Sequence, residues 1–137
     1  SPNFVPEWSL VAELRGRIVG HLMVSYVELQ DERTTRRIAS LSPMSVARDL
    51  HRRGIGSALI RAVVARVDEA GEPMVVLEGD PAYYGRLGFE YAVPHGIHIT
   101  LPDWAPPEAA QITRLTAYDP AIRGRVVYPP AFDGLED

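Results

Sequence analysis

The sequence predicts a mixed α/β domain with a mostly antiparallel sheet flanked by helices. Alternating apolar segments in the first third read as antiparallel hairpins. Residues 54–70 carry a helical apolar period. A short, wholly apolar run follows that helix, and helix to buried strand implies a crossover.

The elements follow in order. Residues 8–14 are strand-like, Arg15 and Gly16 mark a turn, and residues 17–29 resume with Ile18, Val19, Leu22, Val24, Tyr26 and Val27, as an antiparallel hairpin would. Polar residues 30–33 form a second turn. Residues 38–46 make another apolar strand, interrupted by Pro43, which donates nothing to a ladder and so implies a bulge or an unpaired edge. In residues 54–70, Ile55, Leu59, Val63 and Val67 recur at every fourth position with Ile60 and Val64 beside them, one apolar helical face. Gly71 and Pro73 end it, and residues 74–77 should be a central strand covered on both faces. Asp80 and Pro81 look like the entry of a short helix through Leu87, with Gly88 as its stop and Phe89 opening the next strand. Nine of the twelve prolines lie beyond residue 70, so the tail reads as loops around short strands, with residues 102–107 a loop. Residues 112–115 and 125–128 are the expected strands, and Pro129 and Pro130 close the regular structure.

With 137 residues one domain, 1–137, is expected, since chains of this size bury roughly two-thirds of their unfolded surface. No apolar run approaches the ~20 residues of a membrane span, and no membrane partner is expected. The absence of cysteine excludes disulfides, thiolate metal sites and a cysteine nucleophile, and fits a reducing cytoplasm. A net charge of −4 argues against nucleic-acid binding, which rewards a clustered positive surface. The arginines therefore act locally. Of these, Arg61 and Arg66 read equally well as a solvated face. His21, His95 and His98 are too scattered for a metal site, and no metal is expected.

The most informative stretch is His51, Arg52, Arg53, Gly54, Ile55, Gly56 and Ser57, preceded by Arg48. A basic loop with two glycines turns here into an amphipathic helix, so backbone N–H groups and the positive helix end face one space suited to phosphate. A P-loop would end in Gly-Lys-Ser/Thr, but Ser57 and Ala58 follow Gly56 and no lysine lies nearby. A dinucleotide loop would carry a third glycine where Leu59 stands; Glu78 does fall about 20 residues on, where a ribose-binding acid is expected, but the upstream hairpins count against that fold.

The third reading rests on a resemblance. His51 to Gly56 after the Pro43-bearing strand resembles the coenzyme A loop of the GNAT acetyltransferases, whose pattern is Gln/Arg-x-x-Gly-x-Gly/Ala. A second hallmark, a tyrosine four residues before Gly-Phe, is met by Tyr84 ahead of Gly88 and Phe89. The run from Leu77 to Tyr84, and Tyr128 to Phe132, resemble the YhbS-like branch. His51 departs from the pattern, though backbone amides make most pyrophosphate contacts, and several outweigh one charge-assisted bond of ~1.5–3 kcal/mol. Against the family the chain is expected to lack the first strand and helices, and its start at Ser1 reads as processed or excerpted.

The resemblance implies a sheet whose parallel pair splays around acetyl-CoA, and acetyl transfer to a primary amine of a small molecule or peptide by direct attack in a ternary complex. It allows a homodimer. Pro43 leaves backbone groups of Met44 and Val46, with Ser45 between them, as the expected partners of the pantetheine arm. His51, Arg52, Arg53, Gly54, Ile55, Gly56 and Ser57 are the expected phosphate contacts. An alkylamine arrives protonated, with an ordinary pKa of about 10.4, so a base is required; Glu78 is the candidate, with Glu28, Asp80 and His95 as alternatives. Tyr84 is the candidate acid for the departing thiolate. The rival reading is a regulatory module that binds CoA or acyl-CoA without catalysis.

Overall fold

A computed structural model of the chain describes residues 4–42, 45–46 and 54–128. Strands β1 (Phe4–Leu14) and β2 (Arg17–Gln30) form the first hairpin. Its turn places Arg15 and Gly16 at φ of 53° and 80°, both left-handed, as a turn matching strand twist requires. β1 begins earlier than alternation suggests: Phe4 already pairs with Ser25, and the register shifts before Ser9, across Pro6, which lacks a donor.

β2 is the spine of the sheet. β1 and β9 (Gly124–Val127) share one of its edges, β3 (Thr35–Leu41) and β4 (Ser45–Val46) the other. Leu41 lies opposite Val24 and Ser45 opposite His21, so four steps on one strand span three on the other. The register thus carries one extra residue between Leu41 and Ser45; Pro43, where a bulge or unpaired edge is expected, lies outside the described residues. Helix α1 (Ile55–Glu69) then crosses to β5 (Met74–Glu78), which pairs parallel with β3. A short helix α2 (Pro81–Gly85) leads to β6 (Glu90–Tyr91), β7 (Ile97–His98) and β8 (Ala110–Arg114). Through its longest path the sheet runs β6-β8-β5-β3-β2-β9-β7. A second parallel pairing, β7 with β9, corrects the expectation of a single parallel pair. Two residues of β7 are too few to show any period.

The two faces carry separate cores. On one, α1 buries Leu59, Ile60, Val63 and Val67 against Leu22, Val24, Ala39, Val75 and Leu77. On the other, Val27, Leu29, Ile38, Met74, Val76, Ile112 and Val126 pack together. β5 thus alternates between two covered faces, which is why it reads as continuously apolar; each such side chain contributes ~1.5–3 kcal/mol. Among the described residues no helix is long and apolar enough to cross a membrane.

Candidate active site

The site begins where β3 and β5 part. Their parallel pairing covers only Ala39 with Val75 and Ser40 with Val76. Past that point β3 stays with β2, Ser42 N–H donating to Met23 at 2.9 Å. β5 stays with β8 through Glu78 opposite Ala110, then Gly79 N–H donates to Ala109 at 3.0 Å. Gln111, buried, holds the Gly79 carbonyl from its side-chain amide at 3.0 Å. Beyond Ser40 and Val76 the two strands no longer pair with each other, and Leu41 and Ser42 on one side and Leu77 to Asp80 on the other line a cleft of about 890 Å³.

Alternation assigns the walls. Glu78 has the phase of Met74 and Val76, so it belongs to the face away from α1. There its Oε2 accepts a 2.6 Å hydrogen bond from Tyr128 Oη, just beyond β9. Burial and this bond push the Tyr128 hydroxyl well above the ordinary tyrosine range. Tyr84 packs instead with the α1-side core. Its ring meets Tyr83 and Phe89 edge-on, with centroids 4.9 and 5.8 Å apart, and lies so close to Gly79 that a methyl group there would collide with it. Burial, reinforced by Tyr83 and Asp80, raises the Tyr84 pKa. Both Tyr84 and Glu78 line the cleft.

α2 is placed by local chemistry. Asp80 caps it, Oδ1 accepting from Ala82 N–H at 3.0 Å, and Pro81 takes the first helical position, where no donor is needed. It ends at Gly85, short of Leu87, and Gly88 turns the chain at φ 92°.

At the start of α1, Gly54 is the cap with φ 77° and open space where a Cβ would stand. Among the described residues no side chain caps the helix, and its first turn holds no acidic residue. Ala58 N–H donates to Gly54 O at 3.0 Å, whereas Ile55, Gly56 and Ser57 precede the first possible intrahelical bonds, so their amides point outward from the helix end. Gly56 is the helix's second residue, which places only Gly54 in the turn itself. Ser57 Oγ lies 3.4 Å from Tyr83 Oη, linking this helix start to α2.

Ser45 and Val46 pair with His21 and Gly20 of β2. Met44, His51, Arg52 and Arg53, with Arg48, lie outside the described residues. Of the alternative bases only Asp80 lines the cleft. Glu28 accepts from Gln30 on β2, and His95 lies 3.5 Å from Glu90; β2's length and the turn before β7 carry them elsewhere. Tyr128 and Trp104 also line the cleft and were not among the expected site residues. An accessible tryptophan in a proline-rich loop was the available signal for the second.

The GNAT acetyltransferase domain model matches residues 1–92. The chain belongs to the GNAT acetyltransferase family. The chain is 31% identical over 110 residues to YhbS, an uncharacterized N-acetyltransferase of Escherichia coli K12, covering 80% of the chain and 62% of that protein. The chain thus spans less than two-thirds of this relative. A crystal structure of the Escherichia coli YhbS protein in complex with CoA superposes with a TM-score of 0.78 at 28% identity, over 91% of this chain and 68% of that one. A GNAT acetyltransferase of Brucella melitensis in complex with acetyl-CoA gives 0.67 at 32% identity over the same shares. The overall fold is therefore shared with these two structures.

Proposed function

We propose that the chain transfers an acetyl group from acetyl-CoA to a primary amine by direct attack in a ternary complex. The observation that carries the reading is the parting of β3 and β5 after Ser40 and Val76, with Tyr84 and Glu78 reaching one cleft from opposite faces of the sheet. The donor complexes of the two similar structures support acetyl-CoA as co-substrate. The start of α1 suits its pyrophosphate: outward amides, an uncapped positive end and no acidic side chain in the first turn. Gly54, Ile55, Gly56 and Ser57 hold the phosphates in this reading, with His51, Arg52 and Arg53 beside them, and Met44, Ser45 and Val46 flank the pantetheine arm.

Glu78 takes the proton that the incoming ammonium must lose, since only the neutral amine has a lone pair. The nitrogen–carbon bond forms, the carbon–sulfur bond breaks as Tyr84 gives its proton to the departing sulfur, and the second proton that the nitrogen sheds on becoming an amide restores the Tyr84 hydroxyl. A raised pKa keeps that proton in place until it is needed. The sequence holds no cysteine to relay the acyl group as a thioester, which supports direct transfer.

The test is free-thiol release from acetyl-CoA over a panel of amines, with calorimetric titration of acetyl-CoA alongside. Saturable binding and amine-dependent thiol release are expected. Binding without release for every amine would point instead to a CoA-sensing module.

A further inference from the structure

Resting on the acetyl-transfer reading, we propose that the acceptor is a primary amine joined by a short chain to an aromatic or bulky apolar group, clasped between Trp104 and the Glu78–Tyr128 pair.

The cleft wall on the far side from α1 comes from the loop after β7. Leu101, Pro102, Trp104 and Pro106 line it. Trp104 is 84% exposed, an unusual position for the largest apolar side chain unless something covers it. The backbone that carries this ring is constrained. Pro102 and Pro106 flank it, and Ala105 N–H donates to Pro102 O at 3.0 Å, closing a turn with Trp104 inside. A backbone fixed beforehand loses little freedom when a ligand covers the side chain it carries.

Charge selects the other end of the ligand. Glu78 and Asp80 both line the cleft, and none of the described lining residues is basic. Their carboxylates lie two residues apart at the end of β5, whereas the remaining wall is mostly hydrocarbon. A ligand with one ammonium and an apolar body matches that division. A polyamine would set further cations against Leu101 and Pro106, and an aminoglycoside would set hydroxyl groups there without partners, both costly. A cleft of about 890 Å³ holds a thioester end and a small amine together.

Thiol release by the full chain at saturating acetyl-CoA tests this with phenethylamine, a Phe-Gly-Gly amide, ethylamine, spermidine and kanamycin. Phenethylamine or the peptide should exceed spermidine and kanamycin in kcat/KM by about tenfold or more. Their order then tells a free amine from a peptide terminus. Trp104→Ala should raise KM for the favoured aromatic acceptor about tenfold, with kcat within about twofold and the ethylamine KM unmoved. Trp104→Phe should restore most of that loss. Because Trp104 is exposed, the variants fold. Spermidine or kanamycin turned over as well as the aromatic amines, or an aromatic KM indifferent to Trp104→Ala, overturns the assignment while leaving acetyl transfer intact. No thiol release with any amine overturns the acetyl-transfer reading itself.

Discussion

Tyr128 Oη donates a 2.6 Å hydrogen bond to Glu78 Oε2, joining the end of β9 to the end of β5. One carboxylate oxygen is thus fixed, and its partner oxygen is oriented with it. Tyr128→Phe removes the bond without changing the ring. The expected result is about a tenfold lower kcat/KM for the amine, the size of one hydrogen bond to a charged group. Steady-state kinetics should find KM for acetyl-CoA unchanged.

In the proposed mechanism Tyr84 sets the alkaline limb of turnover. Its pKa lies above the ordinary tyrosine value because burial disfavours the phenolate, with Tyr83 and Asp80 adding to the effect. The donor therefore stays protonated beyond the pH at which a free tyrosine ionises, and the alkaline fall in kcat should begin above about pH 10. Tyr84→Phe should lower kcat roughly a hundredfold and abolish that alkaline limb. Cofactor affinity measured by calorimetry should stay within about twofold.

Gly79→Ala tests the same ring from beneath. The added methyl group collides with the Tyr84 ring, which must turn or lift. A stability loss of about 1–3 kcal/mol is expected from denaturant titration, as for other overpacked sites. Turnover should fall with it, while acetyl-CoA affinity holds.

Gly56→Glu separates binding from folding. A carboxylate in the first turn of α1 favours the helix by about 0.3–1 kcal/mol, so Tm should hold or rise. The same charge would face the pyrophosphate, and Kd for acetyl-CoA should weaken by about tenfold or more. Unchanged affinity would move the phosphates away from this helix.

Tyr26 sets an alkaline limit on stability. Its hydroxyl donates to Glu72 Oε2 at 2.7 Å, and Arg37 lies over its ring at 3.9 Å. Burial first, then the Glu72 bond, pushes its pKa up to about 12. The folded chain therefore holds this proton longer than the unfolded chain does. That stabilisation is fully present below about pH 10 and is lost as pH rises towards about 12. Tyr26→Phe should flatten the alkaline decline seen in thermal melts across this window.

Features set by near neighbours were legible in the residues. The apolar face of α1, the covered strand β5 and the Asp80 cap each arise within a few positions and appear where period and capping chemistry put them. The one-residue register offset between Leu41 and Ser45 falls where a single proline interrupts the apolar run. Features made by distant partners were not. The Tyr128–Glu78 bond spans 50 residues, and β7 exists only because β9 lies beside it. Trp104 reaches the cleft through a loop without a repeat of any kind. Glu28 and His95 resembled Glu78 as chemical types, and only the course of their strands and turns separates them from the cleft.

The opposite placement of Tyr84 and Glu78 divides the molecule into halves that can change independently. On the proposed reading, α1, α2 and one face of β5 form the donor half, and the 101–106 loop, Tyr128 and the other face form the acceptor half. Substitutions in that loop can retune which amine enters without disturbing the helix start that would hold CoA. Among relatives sharing this architecture, likeness around Gly54 and Tyr84 is therefore a poor guide to a common acceptor, and the residues at 101–106 and 128 are the ones to compare.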